Sequence, residues 1–142
     1  MMNKITQPDI SHDKANDAYV VFTGKTEIHW LKFLRKGFRH CFVLLNDGHH
    51  WVSVDPLSSY TDILVHHVPA DFDFPAWMKK RGYKVIKAQT QKPLKPSPVN
   101  FFSCVEAVKR IVGIQNRFVI TPWQLYRHLK RVHTPQLSYK GA

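Results

Sequence analysis

The stretch Phe38-Arg-His-Cys-Phe-Val-Leu-Leu-Asn-Asp-Gly-His-His-Trp-Val-Ser-Val-Asp55 decides the fold. Apolar residues run from Phe42 to Leu45. Asp47-Gly48 then supplies the pair that a two-residue type I′ turn requires, and a second run follows from Trp51 to Val54. The pattern predicts a β-hairpin. In that register Asn46 faces His49, Leu44 faces Trp51, Phe42 faces Ser53 and His40 faces Asp55. Directly opposed residues share a face, with Cβ atoms roughly 5 Å apart. The hairpin is therefore expected to set an imidazole beside a carboxylate, which orients a general base and stabilises its imidazolium. The pair lacks a nucleophile. Cys104, near the start of a predicted helix, is the candidate.

Upstream, Ala18-Tyr-Val-Val-Phe22 is a short β-rich run, and Glu27 to Lys36 has the apolar spacing of an amphipathic helix closed by Gly37. Downstream, Asp55-Pro56-Leu-Ser-Ser is a turn, and Thr61 to Val68 reads as a third strand of a meander. Asp71 to Arg81 reads as a short helix with Asp73 as N-cap, Pro75 in its first turn and Gly82 as its stop. Tyr83 to Thr90 reads as another strand. The Pro-rich connector Gln91 to Pro98 cannot be helix interior. Asn100 to Val112 then carries Phe101, Cys104, Val105, Val108, Ile111 and Val112 at helical spacing, ended by Gly113. Thr121 and Pro122 open a last helix as N-cap and first residue, with Trp123, Leu125, Tyr126 and Leu129 as packing positions. Residues 1–17 read as a flexible arm, 18–133 as one domain and 134–142 as a flexible tail.

The 142 residues are 44% hydrophobic and 13% aromatic, which excludes a disordered chain and permits a substantial core. A net charge of +11 favours acidic partners such as nucleic acid, wall polymers or anionic lipid, or else describes a solvated basic surface. Two cysteines, Cys41 and Cys104, make no disulfide framework, so free thiols in a reducing compartment are expected. No apolar run approaches the ~18–20 residues of a membrane span. Met1 to Asp17 is polar and lacks the apolar core of a signal peptide. The expected location is cytoplasmic or virion-associated.

A cysteine at a helix N-terminus, a histidine on a strand and a polar residue one strand over form the papain-like arrangement. Here the order is His40, Asp55, Cys104. The pieces Gly37-Phe-Arg-His40-Cys-Phe-Val-Leu and Asn100-Phe-Phe-Ser-Cys104-Val-Glu-Ala-Val-Lys-Arg-Ile-Val-Gly-Ile114, with Ile120 to Leu129 after them, resemble the circularly permuted NlpC-type branch of the papain-like cysteine peptidases and amidases. The resemblance spans roughly residues 18 to 130 through short motifs. It implies an α+β fold, an antiparallel meander sheet packed against helices. It also implies Cys104 as nucleophile, His40 as base, Asp55 as orienting group and the Cys104 N–H in an oxyanion hole, with Asn100 as a candidate second donor. The chemistry implied is amide or thioester cleavage through an acyl-enzyme, often on peptidoglycan stem peptides, with no cofactor.

Plainer readings stand beside these. Cys104 on an apolar helix face is also an ordinary core residue, and Cys41, facing away from His40, reads as inert core. Asp55 also suits a cap for the Pro56 turn. Adjacent residues in His49-His50 and His66-His67 point to opposite faces, so each pair offers one metal ligand per face, and neither HExxH nor CxxC spacing occurs. Lys79-Lys80-Arg81 with Lys109, Arg110, Arg127, Lys130 and Arg131 form one basic patch or ordinary solvated faces. Two other function classes follow: a catalytically silent papain-like module serving as a basic binding or structural protein, such as a phage-particle component, and a nucleic-acid-binding domain supported by charge alone.

Overall fold

The computed structural model describes residues 16–24, 35–57, 59–91, 95 and 103–133. Residues 27–34 of the helix expected over Glu27 to Lys36, most of the Pro-rich connector, Asn100, and the terminal residues 1–15 and 134–142 lie outside them; Arg35 and Lys36, at the end of that expected helix, are described and are not helical. Element order is β1 (Asp17–Thr23), β2 (His40–Asn46), β3 (Trp51–Pro56), β4 (Thr61–His66), α1 (Phe74–Lys80), β5 (Lys84–Gln89), α2 (Cys104–Val112) and α3 (Pro122–His133). The class is α+β. The strands form one antiparallel sheet in the order β4-β3-β2-β1-β5. Asp17, read as the end of an arm, already pairs with Asn46 and Gln89.

Two features of the sheet's pairing differ from the sequence reading. The meander holds from β1 to β4, but β5 returns to the far side of β1, so the sheet is not a simple meander. The hairpin register is also displaced by two residues: Asn46 pairs with Trp51, Leu44 with Ser53 and Val43 with Val54. The cause lies in the turn. Asp47 Oδ1 accepts from the amides of His49 (2.7 Å) and His50 (2.6 Å), and Asn46 Oδ1 accepts from Gly48 N (2.8 Å). Side-chain acceptors satisfy the turn amides, which widens the loop to Asp47–His50, with Gly48 at φ 90°. Continued one step, this register sets Asp55 opposite Phe42 and diagonal to His40.

Helices cover both faces of the sheet. Ala18, Val20, Phe22, Cys41, Val43, Ile86 and Ala88 pack with Val105, Val108 and Val112 of α2 and Leu125 and Leu129 of α3. Val21, Leu44 and Trp51 pack with Phe74 and Met78 of α1. Among the described residues no strand pairs with the outer edge of β4, where Ile63 is 63% exposed and Val65 54%.

Local chemistry sets the helix ends as expected. Asp73 Oδ1 accepts from Ala76 N at 2.9 Å, and Gly82 follows α1 at φ 90°. Gly113 caps α2 in the left-handed conformation, with Ile114 N donating to Lys109 O. Thr121 Oγ1 accepts from Gln124 N, while Gln124 Oε1 accepts from Ile120 N and Thr121 N, a reciprocal capping box. Lys109, read as a surface charge, is 2% exposed: its Nζ donates to Glu106 Oε2 and to Val119 O, both at 3.1 Å. The pair ties α2 to the loop before α3 and so fixes the helix that carries Cys104.

Candidate functional site

His40 opens β2, and its position is set by the chain just before it. A Cβ on Gly24 would lie 3.0 Å from the Gly37 backbone, so the end of β1 and the approach to β2 pass in close contact; Gly37 itself sits at φ 85°. Phe38 is then held by aromatic rings, with centroids 4.8 Å from both Trp123 and Tyr126 and 5.8 Å from Phe22. Arg35 lies over the Trp123 ring at 3.9 Å. Helix α3 thus anchors the residues leading into His40.

His40 shares a face with Phe42, their rings stacked at 6.5 Å. Its Nε2 is 2.5 Å from Asp55 Oδ1. The two residues expected to meet do meet, across a diagonal and not directly opposite. The face survives the displaced register because strand side chains alternate with period two, and a shift of two residues restores every face.

Cys104 is the first residue of α2. Ser103 is the N-cap: its Oγ accepts from Glu106 N at 3.2 Å, which closes the first turn. The helix dipole places partial positive charge at the sulfur. Cys104 packs on the sheet face that carries Cys41. Asp47 N bonds His50 O at the hairpin end, so the odd-numbered residues of β2 turn their amides toward β3. The paired residues of β2 and β3 stop at Val43 and Val54. Beyond that point the Cys41 amide meets the Cys104 sulfur instead of a strand partner. At this open end of the ladder the sulfur reaches both Cys41 and the His40 ring.

The electrostatics follow from these contacts. The Cys104 thiol is lowered from 9.0 to about 5, first by the hydrogen bond from the Cys41 thiol, against the opposing effect of burial, and then by the hydrogen bond and charge of His40 and the Cys41 amide. For His40, burial disfavours the charge, but the hydrogen bonds to Asp55 and Cys104 and the charges of both outweigh it, raising the imidazole to about 9. The pair is therefore thiolate and imidazolium across the neutral range. The Cys41 thiol, fully buried, is pushed well above its usual range, first by desolvation and then by the adjacent thiolate.

Sequence reasoning missed Cys41. Its burial matches the inert-core reading, but its sulfur and amide both donate to the nucleophile candidate. The alternation that sends His40 to one face sends Cys41 to the other, and only the placement of α2 brings them to one atom. Of the other candidates, His66 Nε2 is 2.9 Å from Ser53 Oγ, and His50 pairs loosely with Asp47 at 3.7 Å. Among the described residues no three His, Cys, Asp or Glu side chains converge as a metal site, and no helix is long and apolar enough to cross a membrane. Comparison with family models, with curated proteins and with solved structures gives no match.

Proposed function

We propose that the protein is a cysteine hydrolase, an amidase or endopeptidase of the permuted papain-like arrangement. The observation that carries this reading is the convergence of Cys104, at a helix N-terminus, with His40, itself bonded to Asp55. In the mechanism this supports, the Cys104 thiolate attacks the substrate carbonyl. The oxyanion is received by the Cys104 amide at the start of α2. His40 gives its proton to the departing amine, and the C–N bond breaks to leave a thioester on Cys104. Neutral His40 then takes a proton from water, which attacks the thioester; Cys104 leaves as thiolate and the acid is released. Asp55 holds the ring with one nitrogen toward the sulfur and stabilises the imidazolium.

The substrate class proposed is a peptide or acyl group, with peptidoglycan stem peptides the first to try, since a chain of net charge +11 suits an acidic polymer. An activated ester of a short acyl peptide, followed by intact mass spectrometry at acid quench, tests the mechanism. One acyl group on Cys104, absent in Cys104→Ser, is the expected result. If the folded protein neither acylates nor labels, the hydrolase reading fails and the silent basic module, including a phage-particle role, takes its place.

A further inference from the structure

The two cysteines sit together at the site, and hydrolysis uses only one of them as a nucleophile. Cys104 begins α2, partly open to solvent, and packs against the cluster in which Cys41 has no exposed surface. The Cys41 thiol donates its hydrogen bond to the Cys104 sulfur. A core cysteine needs no sulfur partner, and a nucleophile with a dry thiol against it has a resolving group already in place. We propose that Cys104 and Cys41 are a reversible oxidation site, in which a hydroperoxide oxidises Cys104 and Cys41 closes a disulfide onto it.

The chemistry balances. The Cys104 thiolate attacks the terminal oxygen of the hydroperoxide, and the O–O bond breaks. The sulfur loses two electrons as sulfenic acid, while the peroxide gains them and leaves as alkoxide, taking a proton from the His40 imidazolium. The Cys41 sulfur then attacks the sulfenic sulfur. The S–O bond breaks, and the departing hydroxide takes the Cys41 proton as water. Two thiols and one hydroperoxide give one disulfide, one alcohol and one water. A dithiol reverses this by two exchange steps.

Geometry favours the second step over further oxidation. The sulfenic acid forms with Cys41 in the buried cluster it packs against, whereas a second peroxide must diffuse in before sulfinic acid can form. The oxidised pair has no nucleophile, so the site is parked and protected together. This rests on the Cys104 thiolate of the proposed hydrolase, but not on any hydrolysis.

The full-length reduced protein is treated with stoichiometric hydrogen peroxide or cumene hydroperoxide, quenched in acid, alkylated and analysed by intact mass and peptide mapping. The expected product has lost two hydrogen masses, takes up no alkylating agent, maps as a Cys41–Cys104 cross-link and is restored by dithiothreitol. Cys41→Ala should instead accumulate oxygen adducts on Cys104 that the dithiol does not fully reverse. Wild-type protein carrying oxygen adducts on Cys104 with Cys41 still a free thiol, or cross-linked only between molecules, overturns the proposal. This wild-type result stands even if the variant does not fold. Acylation of the reduced protein is measured in parallel. A cross-link without acylation refutes the hydrolase and keeps the redox pair, and acylation with sulfinic acid as the sole oxidation product does the reverse.

Discussion

Lowering the Cys104 thiol from 9.0 to about 5 makes a prediction that depends on pH in an unusual way. At pH 6 about nine-tenths of such a thiol is ionised, against roughly one part in a thousand for an unperturbed thiol. Thiolate fraction alone would make Cys104 about a thousandfold faster toward a disulfide reagent. Nucleophilicity falls with basicity, however, by a Brønsted slope of about 0.4–0.5, so four pH units cost roughly 40- to 100-fold. The net advantage at pH 6 is about tenfold to twentyfold. At pH 8 the ionisation advantage shrinks to about tenfold, and Cys104 should react more slowly than an ordinary thiol. The two profiles should cross near pH 7. The assay is the rate of an aromatic disulfide probe on native protein from pH 4 to 9, with the site read by peptide mapping and the denatured protein as the unperturbed reference. His40→Ala should move the midpoint upward, since it removes a hydrogen bond and a positive charge from the thiolate. A native rate that climbs through pH 8 to 9 like the denatured reference would refute the ion pair, as would equal slow labelling of Cys104 and Cys41.

The remaining expectations concern stability and turnover. Cys104→Ser should keep the circular dichroism of the parent while abolishing acyl-enzyme formation. The ion pair should also shape stability against pH. His40 is raised above 6.5 when folded, so its contribution is lost as pH rises through about 9; Cys104 is lowered below 9.0, so its contribution is lost as pH falls through about 5. Between about pH 6.5 and 9 folded and unfolded chains hold equal numbers of protons at this pair, and stability should be flat. From pH 6.5 down to 5 the pair should lose roughly 2 kcal/mol at about 1.4 kcal/mol per pH unit; urea titrations in which Cys104→Ala retains the same slope would contradict the pairing. Lys109→Met leaves Glu106 with Arg110 alone, at 3.5 Å, and Val119 O without its donor. It should cost about 3 kcal/mol in urea unfolding, and a cost below about 1 kcal/mol would show that the pair does not hold α2 in place. Gly113→Ala sets a Cβ 2.7 Å from Gln91 Cβ at φ +73° and should lower the midpoint, whereas an unchanged midpoint would mean that the β5–α2 contact yields freely.

The sequence by itself determined the features that depend on neighbours a few residues away. Asp73 and Thr121 can satisfy helix-start amides only locally, and the glycines at 82 and 113 reach positive φ without a Cβ penalty, so these helix ends follow from residue type, whereas the start of α2 at Cys104, capped by Ser103, was not read from a pattern that ran from Asn100. The shared face of His40 and Asp55 was equally legible, because alternation has period two and tolerates the displaced register. The register itself was not legible: Asn46 and Asp47 close the turn with their side chains, and the wider loop competes with the two-residue turn by small local energies. Only the tertiary structure decided that β5 pairs with β1, since that choice depends on which strand edge and helix face remain uncovered. It also decided that Lys109 is buried, because Glu106 and the Val119 carbonyl together compensate a charge that residue type alone would leave in water. The Cys41–Cys104 contact belongs to the same class. Cys41 has the alternation of a core residue, and it donates to Cys104 only because α2 docks across the open end of the β2–β3 ladder.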